Sequence, residues 1–328
     1  MHAAFRDREP FPPTLTGRDA MKSRGTQTES KVKLEYFFRK GEELPAGIRR
    51  ILAEQLTRAI QVLNHPGHPL DEAVHEARRC LKRARSVLRL VKFAIPNVYA
   101  RENGRLRDVG RSLSELRDSH ALIQTLEAVG GAPKKRQATA DGQRALREAH
   151  TFLESRGHQI AKAMDEGGME NAVAQLNQAL VDVKKLSFAM VDSLGIQKSL
   201  YRSVKRGMKA FAAAQSDGEA DKFHDWRKRA KDLRYQLSLF AELHPKLERH
   251  SKSAKKLEQL LGDDHNLAIL KDLLIEVGNP VADLHSLQKK ICRRQSALRD
   301  KAKKFGRQLY GEKRKVWKDR LAAIAAES

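Results

Sequence analysis

Apolar residues recur along this chain at spacings of three and four over most of its length, the period of amphipathic helices. From about Pro45 onward the pattern predicts helices over 46–64, 70–94, 97–129, 136–165, 168–190, 195–214, 219–243, 246–277, 281–309 and 312–326. The breaks fall at Pro66-Gly67 with Pro69, Pro96, Gly130-Gly131 with Pro133, Gly167-Gly168, Gly195, Ser216-Asp217-Gly218, Pro245 and Gly278-Asn279-Pro280. Each break holds residues that stop or turn a helix. No segment alternates convincingly as a strand. Residues 1–30 carry three prolines and no period, and read as a disordered leader in which Met21 is a second candidate start. Residues 31–40 read as a short segment of undecided structure.

Two of the helices carry more than a core face. Over 74–92, Val74, Ala77, Leu81, Ala84, Leu88 and Val91 form an apolar stripe. His75, Arg78, Lys82, Arg85, Arg89 and Lys92 form a second stripe beside it at the same spacings, with no carboxylate in it. Like charges three or four residues apart cost about 0.2–0.5 kcal/mol per pair. The five neighbouring pairs of this stripe therefore cost roughly 1–2.5 kcal/mol unless an anion neutralises them.

The pattern returns at an offset of 149 residues. There His224, Arg227, Lys231 and Arg234 run beside Phe223, Trp226, Ala230, Leu233, Leu237 and Phe240. Both helices read H-x-x-R-x-x-x-K-x-x-R. Ile48 answers to Ile196, Leu113–Asp118 to Leu261–Asn266, and Val129-Gly130 to Val277-Gly278, each at 148 residues. Such repetition predicts an internal duplication, with each half a bundle of about four long helices. The halves are expected to pair about a pseudo-two-fold axis. The predicted division is the leader over 1–30, a first repeat over 31–190 and a second over 191–328.

Composition sharpens this picture. Of 328 residues, 32% are charged and only 5% aromatic, which suits helices better than a sandwich of sheets. The net charge of +23 argues for an anionic partner: nucleic acid, an acidic membrane or another polyanion. Cys80 and Cys292 stand alone, as in a reducing, cytoplasmic setting. No apolar run approaches the roughly 18 residues of a membrane helix, and no signal-peptide core is present.

The paired basic helices are each followed some 40 residues later by a leucine-rich step. The steps are Leu113-Ser114-Glu115-Leu116-Arg117-Asp118 and Leu261-Gly262-Asp263-Asp264-His265-Asn266. In these features, residues 35–325 resemble the CHAD domain, a histidine-containing α-helical family. The resemblance implies an all-α fold of two four-helix bundles, related by internal symmetry, whose basic helices line a central groove or pore. It also implies binding of inorganic polyphosphate and, as in many members, association with polyphosphate granules. Two departures stand out. Asn266 occupies a place where the family usually carries Asp. Ser238 and Ala241 stand where the first helix has Arg89 and Lys92, so the first stripe is the longer. The E-x-E-x-K strand of the triphosphatase module that many members carry upstream has no counterpart here.

The expected polyphosphate-binding residues are His75, Arg78, Lys82, Arg85 and Arg89 on the first helix, with His224, Arg227, Lys231 and Arg234 on the second. Arginine grips phosphate oxygens in pairs and lysine adds a point charge. The stripe from His75 to Lys92 is about 25 Å long at about 1.5 Å per residue, enough for several phosphates in series. Arg101, Arg105, Arg202, Lys205, Lys209, Lys252, Lys255 and Lys256 are expected to converge on it from neighbouring helices. Each histidine either donates to the anion or the opposite half, or is a satisfied residue at the bundle interface. Neither has a His, Cys or carboxylate four residues on, so no metal is expected. Asp118, Asp263 and Asp264 suit salt bridges or caps, and Trp226 and Trp317 fall at core positions.

No phosphate-binding glycine loop, dinucleotide fingerprint or nucleophile elbow is present, so neither a cofactor nor catalysis is expected. Two competing functions remain. A nucleic-acid-binding protein accords with the charge, although no reading motif is visible. A polyphosphate-cleaving enzyme needs a metal held by carboxylates, for which no set stands out. Weak, non-specific nucleic-acid binding is expected beside the main activity. The expected place of action is the cytoplasm, at polyphosphate granules, with no membrane partner.

Overall fold

A computed structural model describes residues 35–65, 67, 69–130, 140–163, 167–276 and 282–326. The leader expected over 1–30 lies outside them. Among the described residues there are eleven α-helices and no strand. They are α1 (Leu44–Leu63), α2 (Leu70–Val91), α3 (Pro96–Ser112), α4 (Ser114–Gly130), α5 (Ala140–Ala163) and α6 (Met169–Lys185). These are followed by α7 (Ser193–Ser216), α8 (Ala220–Ser238), α9 (Pro245–Glu276), α10 (Ala282–Tyr310) and α11 (Arg314–Ala326). The all-α expectation holds.

Local chemistry places the helix starts. Prolines open α1 and α3 in the first turn, where no amide donor is needed. Asp192 caps α7 by accepting from the Gly195 amide at 2.6 Å. Gly218, at φ +75°, turns the chain into α8.

Three boundaries differ from the periodic reading. The single helix expected over 97–129 turns at the fully buried Leu113 and continues as α4. Near that turn Ser114 Oγ donates to the Gly110 carbonyl at 2.8 Å, and Arg78 Nη1 donates to the same oxygen at 2.6 Å. Side-chain donors compete with the helix ladder. The apolar period runs unbroken on both sides, which hides the turn. The helix expected over 168–190 stops at Lys185 because Leu186 is extended and Phe188 is fully buried. Arg49 holds that exit, donating to the Leu186 carbonyl at 3.0 Å with its guanidinium over the Phe188 ring. The helix expected over 219–243 ends at Ser238 in a run of turns.

Several helix pairings recur between the first six helices and the last five, while α3 on α6 and α10 on α7 have no counterpart of similar extent. α1 packs on α2 and α6, and α7 packs on α8 and α11. α2 meets α3 as α8 meets α9, and α4 meets α5 as α9 meets α10. α9, one rod of 32 residues, stands where the first half has α3 and α4. α2 also touches α7 and α8 directly, which joins the halves within one compact unit spanning 34–328.

The main core runs through both halves. It includes Ile48, Leu52, Leu81 and Leu88, then Leu200, Trp226, Leu233 and Trp317. A separate cluster of Leu126, Leu153, Leu270 and Ile291 seals α4, α5, α9 and α10. Each such side chain contributes about 1.5–3 kcal/mol on burial. The stretch 35–38, of undecided structure in the sequence, binds the second half. The Phe38 amide donates to the Leu239 carbonyl at 2.9 Å, Phe38 packs on Phe240, and Tyr36 meets Tyr235 edge-on. Among the described residues, no helix is long and apolar enough to cross a membrane.

Candidate functional site

The apolar stripe of α2 is buried along its whole length. The basic stripe beside it therefore sits at the edge of the core, with Arg78, Lys82, Arg85 and Arg89 half-buried. On α8, Arg227, Lys231 and Arg234 are half-buried for the same reason. The two stripes meet. Burial, then Lys231 and Arg78, push the Lys82 ammonium down to about 7. Burial, then Arg227, with Arg89 also adverse, push Lys231 down to about 8. Among the described residues neither lysine's ammonium group makes an ion pair or hydrogen bond.

Two carboxylates enter this junction that the stripes alone did not reveal. Asp232 accepts from Arg89 at 3.0 Å, tying α8 to α2. Glu258, from α9, pairs with Arg234. Asp232 is adjacent to Lys231 in sequence, but its reach back to α2 needs the tertiary fold to be seen. Arg85 donates to Asn103 Oδ1 at 3.0 Å, and burial with Arg89 nearby pushes its guanidinium down to about 10. Arg78 reaches Gly110 and Ser114, so the first motif arginine also braces the α3–α4 turn.

The histidines part ways. His224 Nδ1 lies 3.2 Å from Nδ1 of His265 on α9, with the rings 4.4 Å apart. One ring must donate and the other accept. Burial, then Arg227 and His224, push His265 down to about 3, so it is neutral at ordinary pH. His224 is lowered by burial and by Lys228 and Arg227. Its partner is thus within its own half. His75 is exposed and lines a depression with Arg58, Asp71, Glu76, Arg79 and His120, where charges of both signs mix.

The outlying cations divide likewise. Arg101 and Arg105 grip the fully buried Glu102 at 2.7 and 3.0 Å, and Arg105 also bonds Asp182 at 2.7 Å. Both are thus tied into ion pairs, Arg101 within α3 and Arg105 also across to α6. Lys252 pairs with Glu248 at 2.7 Å. Lys205, Lys209, Lys255 and Lys256 are exposed on α7 and α9. Arg202, also exposed, lies with its guanidinium 4.2 Å from the Phe93 ring centroid and joins Arg89 in lining one pocket. Asp264 accepts from Arg299 at 2.9 Å, a salt-bridge use as expected. The Asp118 side chain lies outside the described residues. Cys80 and Cys292 are free thiols. Among the described residues, no group of three or more His, Cys, Asp or Glu could hold a metal.

The helix order and the two basic helices that abut define an all-α protein with a cationic junction. The family model of the CHAD domain matches residues 48–275. The chain belongs to the CHAD domain family. It is similar in structure to the CHAD domain crystal structure from the plant Ricinus communis, with a TM-score of 0.56 over 88% of this chain and 94% of that one. Identity there is 19%, so that likeness shows the fold. No curated protein matches the chain in sequence.

Proposed function

We propose that this chain binds inorganic polyphosphate without cleaving it, in a basic groove where α2 and α8 meet. The observation that carries this reading is the junction of Lys82 and Lys231. Two half-buried lysines from separate helices lie within electrostatic reach of one another, with no carboxylate in an ion pair with either among the described residues. Folding places like charges together there against their mutual repulsion, and a polyanion relieves it. Arg78, Arg85, Arg89 and Arg227 flank the lysines and extend the cationic surface along both helices. His224 with His265 stands at the α8–α9 side as a neutral donor.

Membership in the CHAD family supports the same reading. So does the recurrence of helix pairings in the two halves, which we read as two copies about a pseudo-two-fold axis. The ligand is then a chain of phosphates bound at many points at once, with counterions released. The place of action we propose is the cytoplasm, at polyphosphate granules.

The test is equilibrium binding of polyphosphates of graded length at several salt concentrations, with DNA and RNA as competitors. Affinity is expected to climb with chain length, to weaken with salt, and to be negligible for orthophosphate. Polyphosphate is expected to displace nucleic acid, with weak exchange in the other direction. Equal affinity for orthophosphate and long chains, or nucleic acid displacing polyphosphate, contradicts the proposal.

A further inference from the structure

Beyond the C-terminal end of α2 the chain forms a second, smaller cationic feature. It is a pocket of about 190 Å³ between α2, α3, α7 and α8. Lys92, Arg202 and Arg206 line it, and among the described residues none of the three has a carboxylate in ion-pair reach. Lys92 and Arg202 both lie against the half-exposed ring of Phe93, at 4.7 and 4.2 Å from its centroid. Lys92 is lowered by burial and then by Arg206, Arg202 and Arg89, which shows how closely these charges are gathered.

The pocket wall carries a second kind of demand. Ser199 is 4% exposed and Gln236 is 1% exposed, and both line the pocket. Ser199 Oγ and Gln236 Oε1 are buried without any hydrogen-bond partner. An amide oxygen is satisfied only by a donor. Asp232, also in the wall, is a further acceptor. An ionised phosphate chain presents acceptors along its length and has nothing to give these oxygens. Phosphate oxygens suit the cations, and hydroxyl groups suit Gln236, Asp232 and Ser199.

We propose that this pocket binds a compact phosphorylated polyol, such as a sugar phosphate, with its phosphate held by Lys92, Arg202 and Arg206 and its hydroxyls by Gln236 and Asp232. The pocket shares Arg89 and Asp232 with the α2–α8 junction and takes in Lys92 at the end of the α2 stripe and Arg202, while Arg206, Ser199 and Gln236 are its own. A sugar phosphate there competes with only the end of a polymer lying along the junction.

Calorimetric titration of the full chain with fructose 1,6-bisphosphate, pyrophosphate and long-chain polyphosphate tests it. Fructose bisphosphate and pyrophosphate each bring two phosphates, but only the sugar brings hydroxyl donors. The sugar bisphosphate is expected to bind one to one, about tenfold or more tighter than pyrophosphate. Arg206→Ala, an exposed and structurally mild change, is expected to weaken the sugar bisphosphate about tenfold while long-chain polyphosphate changes less than about threefold. Gln236→Leu, with its helicity checked by circular dichroism, is expected to erase the preference for the sugar. Pyrophosphate binding as tightly as the sugar bisphosphate overturns the proposal, as does an Arg206→Ala chain of unchanged sugar affinity. Sugar bisphosphate binding in a chain that ignores long-chain polyphosphate supports the pocket and removes the polyphosphate reading instead.

Discussion

Lys82 on α2 and Lys231 on α8, 149 residues apart in sequence, come close enough where the two helices meet for Lys231 to lower the proton affinity of Lys82, while Arg227 and Arg89 lower that of Lys231. Burial is the larger cause for both. At neutral pH each stands near its own titration point, while an ordinary lysine is fully charged.

The first consequence is pH dependence, with two opposite signs. Anions bind the protonated lysines, so polyphosphate affinity is expected to fall as pH rises through about 7 and then about 8. Binding near neutral pH then takes up protons, which calorimetry in buffers of different ionisation enthalpy detects. The free chain behaves the other way. Its folded lysines bind fewer protons than the unfolded ones from about pH 7 up to the ordinary lysine range, so its stability rises with pH across that window. Urea midpoints on the two sides of the window check the sign.

Replacing either lysine with an apolar residue of similar reach separates stability from binding. Lys82→Met and Lys231→Met each remove a desolvated charge and a like-charge contact. Each is expected to stabilise the free chain by about 1 kcal/mol and to weaken polyphosphate about tenfold. Thermal unfolding and titration of the same samples measure both. A destabilised variant with unchanged affinity contradicts the placement of these lysines in the binding surface.

The cations of α3 make the opposite prediction. Glu102→Gln removes the carboxylate that Arg101 and Arg105 share. Discounted for the exposure of both arginines, a loss of about 1–3 kcal/mol is expected, read from urea unfolding. Arg101→Ala is expected to change polyphosphate affinity less than about threefold, since this exposed arginine is already paired.

A structural control lies in α10. A Cβ at Gly306 meets Phe211 at 2.5 Å and Trp226 at 2.6 Å, so this glycine lets α10 close on α7 and α8. Gly306→Ala is expected to cost about 1–3 kcal/mol by forcing the aromatic pair aside. Unfolding midpoints check this, and an unaffected chain refutes that close approach.

Much of the molecule is legible in its residue pattern, for a physical reason. A helix whose apolar and basic stripes adjoin must bury one and leave the other at the core's edge, so the half-buried placement of Arg78, Lys82, Arg227 and Lys231 follows from spacing alone. The turn at Leu113 is not found, because the apolar period continues through it and the competing donors, Ser114 and Arg78, act on a single carbonyl. The outlying cations show the other limit. Charge density marks Arg101 and Arg105 as candidates; Glu102, which pairs with both, stands beside them in the sequence, but the burial that makes it their partner, and the approach of Asp182 on α6 to Arg105, come from packing. His265, Glu258 and the Ser199–Gln236 wall are invisible for the same reason. Each matters only through a neighbour from another helix.

The two cationic rows are claimed to act as a single surface, and the salt dependence of long-chain polyphosphate binding measures this most directly. Wild-type chain is to be compared with Arg227→Ala, Lys231→Ala and the pair Lys82→Ala with Lys231→Ala. A shared surface predicts a steep fall of affinity with salt, a slope reduced by about one counterion for each charge removed, and an energetic coupling between the two lysines. Slopes and affinities that stay at the wild-type values, or two lysine substitutions on separate helices that combine without coupling, contradict it.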